Sequence, residues 1–487
     1  MNPDSELIVA RAERIPFSRS HLRAAAILGG GTFFDAYDGL AMATALSVAF
    51  TSLHIGFVNA GILLGTAYLG QFAGAILVGF LADIYGRKAC FILAIFWFSV
   101  FAVASAAAWD FSSLMWLRIV QGIGLGAEIP AASALFSELL NRKSRGRNYL
   151  IYQNTFGWGV MLTPLAGAGL IALFGPESGW RIVLGIGGIA VLLVPWAMRS
   201  LPESPRWLVN KNRYAEADAV VSSFERSYER AGRVLPPVTP LARPDTSPTR
   251  FGELLSRRYL RRTVLIWTMF ATSFFVIYAF TVWLPTLYVQ VGGLPPTKSL
   301  LLTAINGSVY VITGYVLAGV IDRLGRRRVF IGCFIVATVG AALGVLFVAV
   351  FGLLGWPVLL AVTVVMTIGV YPASIGCYLY GPELFPTRMR GWAIGTGSGI
   401  QRLATVIAPL VVGSLVTVGQ SRTTGIATVF AVLAAVSLIA AITVAVLGIE
   451  TAGLDLETAS SAGTRGASAN LPVVAAPEPR DTDASTP

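Results

Sequence analysis

The stretch LADIYGRK (residues 81–88) returns as VIDRLGRR (320–327), and SELLNRKSRG (137–146) returns as PELFPTRMRG (382–391). The two echoes lie 239 and 245 residues apart, close enough for one duplication to explain both. Each copy is a short charged loop between long apolar runs. Asp83 and Arg87 stand four apart across Gly86, and Asp322 and Arg326 repeat that spacing across Gly325, so each pair can reach over a tight turn. The repeat therefore predicts two structurally equivalent halves joined head to tail. Parallel halves related about the membrane normal form an architecture whose binding site lies between them near mid-membrane.

The rest of the 487-residue chain fits a bilayer: 55% of it is hydrophobic and only 13% charged, with a mean hydropathy of +0.70. Soluble domains carry roughly twice that charge. Windows of about 20 residues, matched to a hydrocarbon core about 30 Å thick, give twelve expected spans: 22–50, 56–82, 89–108, 112–137, 147–174, 180–200, 262–290, 299–321, 329–351, 357–382, 392–418 and 424–449. With the N-terminus inside, 31 of the 36 Lys and Arg residues fall on the cytoplasmic side. Arg181, Lys298 and Arg422 fall outside, while Arg118 and Arg402 lie within spans. This asymmetry places both termini in the cytoplasm and accounts for the net charge of +11 without nucleic acid. The polar first twenty residues lack a secretory core and cleavage site, so the first span is expected to act as the insertion signal.

The expected organisation is a cytoplasmic segment 1–21, an N-terminal six-helix bundle 22–200, a cytoplasmic loop 201–261 with a helical stretch, a C-terminal six-helix bundle 262–449 and a disordered tail 450–487. Cys90, Cys333 and Cys377 sit in or beside spans without metal-like spacing, and His21 and His54 are far apart. No metal site, no cofactor and no hydrolytic triad is expected.

At these motifs the chain resembles the major facilitator superfamily over residues 20–450. GFLADIYGRK carries the superfamily resemblance, and RIVQGIG, SELLNRKSRG, PESPRWL and PELFPTRMRG narrow it to the sugar-porter-like clan. That clan also contains metabolite, aromatic-acid, nicotinate and phosphate symporters and organic ion carriers. The resemblance implies an all-α membrane protein with twelve transmembrane helices in two pseudo-symmetric bundles, a transporter rather than an enzyme.

The loop charges read as gates: Asp83 with Arg87, Glu138 with Arg145, Asp322 with Arg326 and Glu383 with Arg390, about Gly86 and Gly325. Exposed pairs contribute about 0–1 kcal/mol each, which suits latches that break in every cycle; static loop ordering is the alternative.

Five ionisable residues lie inside spans: Asp35, Asp38, Arg118, Glu128 and Arg402. Such residues are costly and point to function. At about 1.5 Å per residue, Asp38 lies about 24 Å from the inner end of span one and Arg118 about 9 Å from the outer end of span four. Contact between them is possible. The resemblance implies that Asp38 and Arg118 form a proton-coupling pair, the alternative being a purely structural ion pair. Burial favours the neutral carboxyl and a nearby guanidinium the ionised one, so a pair that parts and rejoins can carry a proton. Glu128 is a candidate second proton site or substrate contact. Asp35 shares a helix face with Asp38 and is either a relay or solvated in the cavity, the second being preferred.

Arg402 offers a donor fork that matches a carboxylate, with pairing to Glu128 or Asp35 as the alternative. Position against the clan motifs adds Gln153 and Tyr378 as cavity residues, with Tyr278, Tyr310 and Trp158, although ordinary packing would explain each aromatic equally well. Together they describe a cavity able to stack a flat ring. Span seven, ATSFFVIYAFTVWLP, lacks the glutamine pair of sugar porters and the further Asp of phosphate symporters. The expected function is proton-coupled import of a small organic acid, aromatic or nicotinate-like, by alternating access. Alternatives are proton-antiport export of organic cations, a sugar or phosphate symporter, or a membrane sensor. Partners are the small-molecule substrate, protons and the lipid bilayer of a plasma (inner) membrane, with the chain a monomer.

Overall fold

The computed structural model describes residues 3–52, 55–141, 145–238, 251–386, 389–417 and 421–451, without side chains at 3–5, 49–52, 79–80, 145–146 and 391. His54, Arg388, the side chain of Arg145 and the tail beyond 451 lie outside the described residues.

Helices account for every regular element among the described residues. The first half holds α1 (Pro3–Arg14), α2 (Arg19–Ser52), α3 (Phe57–Tyr85), α4 (Arg87–Ala106), α5 (Phe111–Leu139), α6 (Arg145–Gln153), α7 (Thr155–Ile186) and α8 (Leu193–Ser200). The connecting segment forms α9 (Pro205–Asn210) and α10 (Tyr214–Glu229). The second half holds α11 (Leu260–Thr281), α12 (Leu284–Gln290), α13 (Pro296–Leu324), α14 (Arg326–Val345), α15 (Trp356–Leu384), α16 (Arg390–Leu415) and α17 (Arg422–Leu447).

Ten helical stretches among the described residues are long and apolar enough to cross a membrane. One of them, residues 147–200, is 54 residues long and contains two expected spans. The chain breaks at Gly175 (φ 77°, ψ 169°) ahead of Pro176, a left-handed conformation open to glycine. That break separates expected spans five and six. The first span, α2, is 34 residues long and less apolar because it carries two Asp residues. Twelve crossings result.

Within the first half α3 packs on α5, α2 on α7 and α4 on α5; within the second, α11 packs on α16 and α14 on both α15 and α17. The α3–α5 contact is a backbone-to-backbone approach. A Cβ on Gly122 or Gly126 would collide with the carbonyl of Ala67 or Gln71, so RIVQGIGLGAEIP needs glycine there for contact rather than flexibility. The halves meet through α3 with α16, α7 with α13 and α2 with α12. The first two contacts are exchanged by the internal repeat.

The repeated loops lie on one face, called here the latch face. Gly86 (φ 100°) and Gly325 (φ 86°) both turn the chain in the left-handed region. Arg87 pairs with Asp83 at 3.1 Å and Glu138 at 3.7 Å; Arg326 pairs with Asp322 at 2.8 Å and Glu383 at 3.1 Å. The expected pairing of Glu383 with Arg390 is thus modified: Glu383 accepts from Arg326, while Arg390 Nε donates to the Pro382 and Phe385 carbonyls at 2.9 and 3.1 Å. Each latch is completed by a carboxylate from the end of its own half. Glu203 accepts from the backbone N–H of Arg87 and Lys88 at 3.1 and 3.2 Å, and Glu450 from those of Arg326 and Arg327 at 2.9 and 3.3 Å. Both cap a helix N-terminus, where negative charge is favoured. Burial pushes Glu203 above its usual range, opposed by the backbone N–H groups of Ser204, Lys88 and Arg87.

A cap covers the first half on this face. In α1, Arg11 binds Glu225 and Asp218 of α10, and Arg14 binds Glu225 at 2.7 Å. Ile8, Ile15, Trp207, Val221 and Phe224 are buried in one cluster. Beneath it, His21 Nε2 meets the Leu139 carbonyl at 3.0 Å, while Nδ1 accepts from the Ser18 N–H at 3.2 Å.

Candidate functional site

From the face opposite the latches inward, the interface between the halves begins closed. Phe57 stacks on Trp283 with ring centroids 5.8 Å apart, and Trp283 Nε1 donates to the Pro409 carbonyl at 3.2 Å. Gly61 packs against Pro409 and Gly413 without room for a side chain.

Asp38 and Arg118 meet one layer deeper. Arg118 Nη1 donates to Asp38 Oδ1 at 2.7 Å, and both side chains are buried. Gln121, one helical turn beyond Arg118 on α5, donates from Nε2 to the same Oδ1 at 2.7 Å and accepts from Arg118 Nη1 at 3.0 Å. Ser105 of α4 donates to Gln121 Oε1 at 3.3 Å. Asp38 Oδ2 and Arg118 Nε have no hydrogen-bond partner among the described residues. The arrangement therefore holds the ion pair through one carboxylate oxygen and leaves the other without a partner among the described residues.

Asp35 follows a turn closer to the latch face. It is buried, with Oδ1 unpartnered among the described residues, rather than solvated as the sequence reading preferred. Arg402 reaches in from α16 and donates from Nη1 to Gln71 Oε1 of α3, so its partner is a neutral amide of the other half, not Glu128 or Asp35. Its Nε is unpartnered among the described residues. Glu128 is completely buried; Thr32 Oγ1 lies 3.4 Å from its Oε1 and 3.1 Å from the Tyr152 hydroxyl.

Aromatic rings line the second-half side of this layer. Tyr278 contacts Tyr68 at 5.0 Å and Phe274 at 6.3 Å, and Tyr378 contacts Phe270 at 5.1 Å while donating to Gln401 Oε1. Tyr310 is buried against Tyr371 at 4.5 Å and hydrogen-bonded to Thr281, which places it in the packed wall. Gln153 is buried with Oε1 unpartnered among the described residues.

Trp158 is the residue the structure does not bring to this site. It is 39% exposed, and its Nε1 donates to Tyr315, itself 45% exposed, at 3.3 Å. The physical reason is a break in the chain: α6 ends at Gln153 and α7 begins at Thr155, so Gln153, which is buried, and Trp158, which is exposed, stand on different helices.

Residues 29–462 match the sugar (and other) transporter family. The chain belongs to that family. It is a membrane transporter, and its relatives are transporters, not enzymes. It is 28% identical to the niacin transporter NiaP of Acinetobacter baylyi over 93% of this chain and 99% of that protein. The inner membrane metabolite transport protein YdjE of Escherichia coli is 29% identical over 93% and 98%. The 4-hydroxybenzoate transporter PcaK of Pseudomonas aeruginosa is 29% identical over 80% and 84%. Among solved structures, the proton:xylose symporter XylE of the major facilitator superfamily, bound to 6-bromo-6-deoxy-D-glucose, superposes with a TM-score of 0.69 at 17% identity, covering 91% of this chain and 98% of that one. The fold of the transporter is that of the superfamily.

Several polar residues of this transporter site escape sequence reasoning. Gln121, Gln71, Thr32 and Tyr152 hold the charged groups described above. Asn154, between α6 and α7, joins the halves: its Nδ2 donates to the Val311 carbonyl at 3.2 Å and its Oδ1 accepts from the Tyr371 hydroxyl at 3.2 Å. It fits only because Gly314 lacks a Cβ. A Gln three residues after an in-span Arg is a usable signal for the first of these, since i and i+3 share a face.

Proposed function

We propose that this transporter carries a small ring-bearing organic acid into the cell together with protons, by alternating access. The observation that carries this reading is the buried Asp38–Arg118 pair, with one carboxylate oxygen bound twice and the other without a partner among the described residues. An ion pair enclosed in the membrane interior is expensive to maintain, and reversible protonation of Asp38 gives it a use. Arg402 supplies the fork for the substrate carboxylate, and Tyr278, Phe274 and Tyr378 the faces for its ring. The names of the niacin and 4-hydroxybenzoate transporters point to the same class of solute.

In this reading the latch face is cytoplasmic, both termini are inside the inner membrane, and the chain acts as a monomer. The bundles 22–200 and 262–449 rock about the site, the loop 201–261 bridges them, and the segments 1–21 and 450–487 stay in the cytoplasm. The contacts at Phe57, Trp283 and Pro409 lie on the outer side, and the latches around Arg87 and Arg326 hold each half separately on the inner side. Glu128 and Asp35 are the further buried carboxyl groups of this layer.

The test is uptake by purified protein in proteoliposomes under an imposed pH gradient. Pyridine-3-carboxylate or benzoate should accumulate when the outside is acidic; quaternary amines, xylose and phosphate should not. Uptake of the amines alone would overturn the reading.

A further inference from the structure

Charge without a protein partner collects where the second half enters the membrane. Two of the membrane-crossing stretches begin there, Leu260–Gln290 and Trp392–Leu415. Ahead of the first, a short 3-10 turn (Phe251–Leu255) folds back on the end of α11. It is pinned in place: Leu254 is buried and its carbonyl accepts from Thr263 Oγ1 at 2.8 Å, while the buried Tyr259 sets its ring 6.2 Å from that of Phe385. Phe251 meets the ring of Trp392 at 5.9 Å, and further in Trp267 Nε1 donates to Thr396 Oγ1 at 2.9 Å. The turn and the ends of α11 and α16 therefore form one surface.

That surface presents two kinds of side chain. Phe251, Leu255, Leu260 and Trp392 are between 41 and 47% exposed. Among them Arg257, Arg258 and Arg261 are exposed, whereas Arg262 turns inward and donates to the Leu384 carbonyl at 2.7 Å. Arg257 and Arg261 meet no carboxylate among the described residues, and Arg258 only lies over the Tyr259 ring, 5.6 Å from its centroid. The first turn of α11 holds no acidic residue, and the positive end of a helix dipole adds to such charge rather than offsetting it. The first half answers the same need with protein, since Arg11 and Arg14 of α1 are neutralised by Glu225 and Asp218 of α10.

The mixture narrows the partner. A soluble anion would satisfy the guanidiniums and leave the apolar side chains in water. A zwitterionic lipid would cover the apolar side chains and leave the positive charge in excess. An anionic lipid at the boundary between headgroups and hydrocarbon meets both, and each basic residue near such a surface favours it about fivefold.

We propose that residues 251–261 and Trp392 form a docking surface for an anionic phospholipid. Its phosphate lies at Arg257, Arg258 and Arg261, and its glycerol and upper acyl region lie against Phe251, Leu255, Leu260 and Trp392. The assignment is independent of which solute is carried.

The experiment places the full chain in nanodiscs with equal fractions of photoreactive phosphatidylglycerol and phosphatidylcholine and maps the adducts on residues 251–264 and 392. The native chain should take phosphatidylglycerol there at least about tenfold more often. R257Q/R258Q/R261Q should lower that ratio below about threefold, and R257K/R258K/R261K should keep it, because charge rather than shape selects the headgroup; melting in detergent reports that both variants fold. L255S/L260S should reduce adducts of both lipids together and leave the ratio unchanged. Equal labelling of the native chain by both lipids, or a preference that survives in the glutamine variant, overturns the assignment. Loss of the preference on adding inorganic phosphate, but not chloride at equal ionic strength, would make a free anion the occupant and overturn the lipid. Labelling that appears only once the chain is cut after residue 451 would put the tail, with its five acidic and two basic residues, on this surface and overturn it too.

Discussion

Replacing Asp38 with Asn isolates the charge of one group while keeping its shape. The Asn carbonyl still accepts from Arg118 and Gln121, which sit 2.7 Å from the native oxygen, but the second position becomes an amide that cannot take up a proton. Arg118 is then a buried cation without its counter-ion, and breaking such a pair costs about 3–5 kcal/mol. Detergent-solubilised D38N should accordingly melt well below the native protein, and the double variant D38N/R118Q should recover part of that loss because no uncompensated charge remains. Function separates from stability in vesicles. Each pH unit is worth about 1.4 kcal/mol per coupled proton, so a step of about two units supports up to about 100-fold accumulation at one proton per solute. D38N should equilibrate its substrate to a ratio of about one, yet still exchange labelled for unlabelled substrate, which needs no net proton movement. The double variant should behave likewise. If D38N vesicles concentrate the acid several-fold under the same step, Asp38 is not the coupling group.

Arg402→Gln should weaken acid binding by about 10–100-fold through loss of a charge-assisted bond, and Arg402→Lys by less, as read by titration of the ring acid. His21 should make stability acid-sensitive: burial lowers it to about 4, opposed by its bond to the Leu139 carbonyl, whereas the unfolded chain titrates near 6.5. A depressed histidine stabilises fully above the unfolded value and loses that contribution as pH falls toward the folded one, so between pH 7.5 and 5 the native protein should lose about 2 kcal/mol more than His21→Gln does, a difference visible in melting temperatures. Gly122→Ala should cost about 1–3 kcal/mol or more, because its methyl meets the Ala67 carbonyl and neither helix backbone can yield; the yield of folded, monodisperse protein measures it.

Twelve spans and two related halves were legible because hydropathy and duplicated loops are one-dimensional signals. Even the break at Gly175 falls where a gap between spans five and six is expected. The ion pair of Asp38 and Arg118 was legible too, since charge inside a span stands out against its surroundings. What charge-based reading misses is neutral: Gln71, Gln121, Thr32 and Asn154 are ordinary in an apolar helix until a partner 83 to 331 residues away gives them a role. Arg402 shows the consequence, because the sequence offers only acidic partners for it and the fold supplies an amide. Trp158 fails for a different reason, since the chain turns at Asn154 and nearness in sequence does not carry two side chains to one site across such a break.

Glu203 and Glu450 occupy corresponding ends of the two halves, and this gives the molecule an order of assembly. The N-terminal half has its own fastening as soon as residue 203 emerges, long before most of the partner half exists. The C-terminal half waits for Glu450. A ribosome would thus deliver a first half already secured and a second whose last stitch comes late, so a chain cut at 449 should insert every span and keep the Arg326 ion pairs, yet leave the N–H groups of Arg326 and Arg327 without their carboxylate.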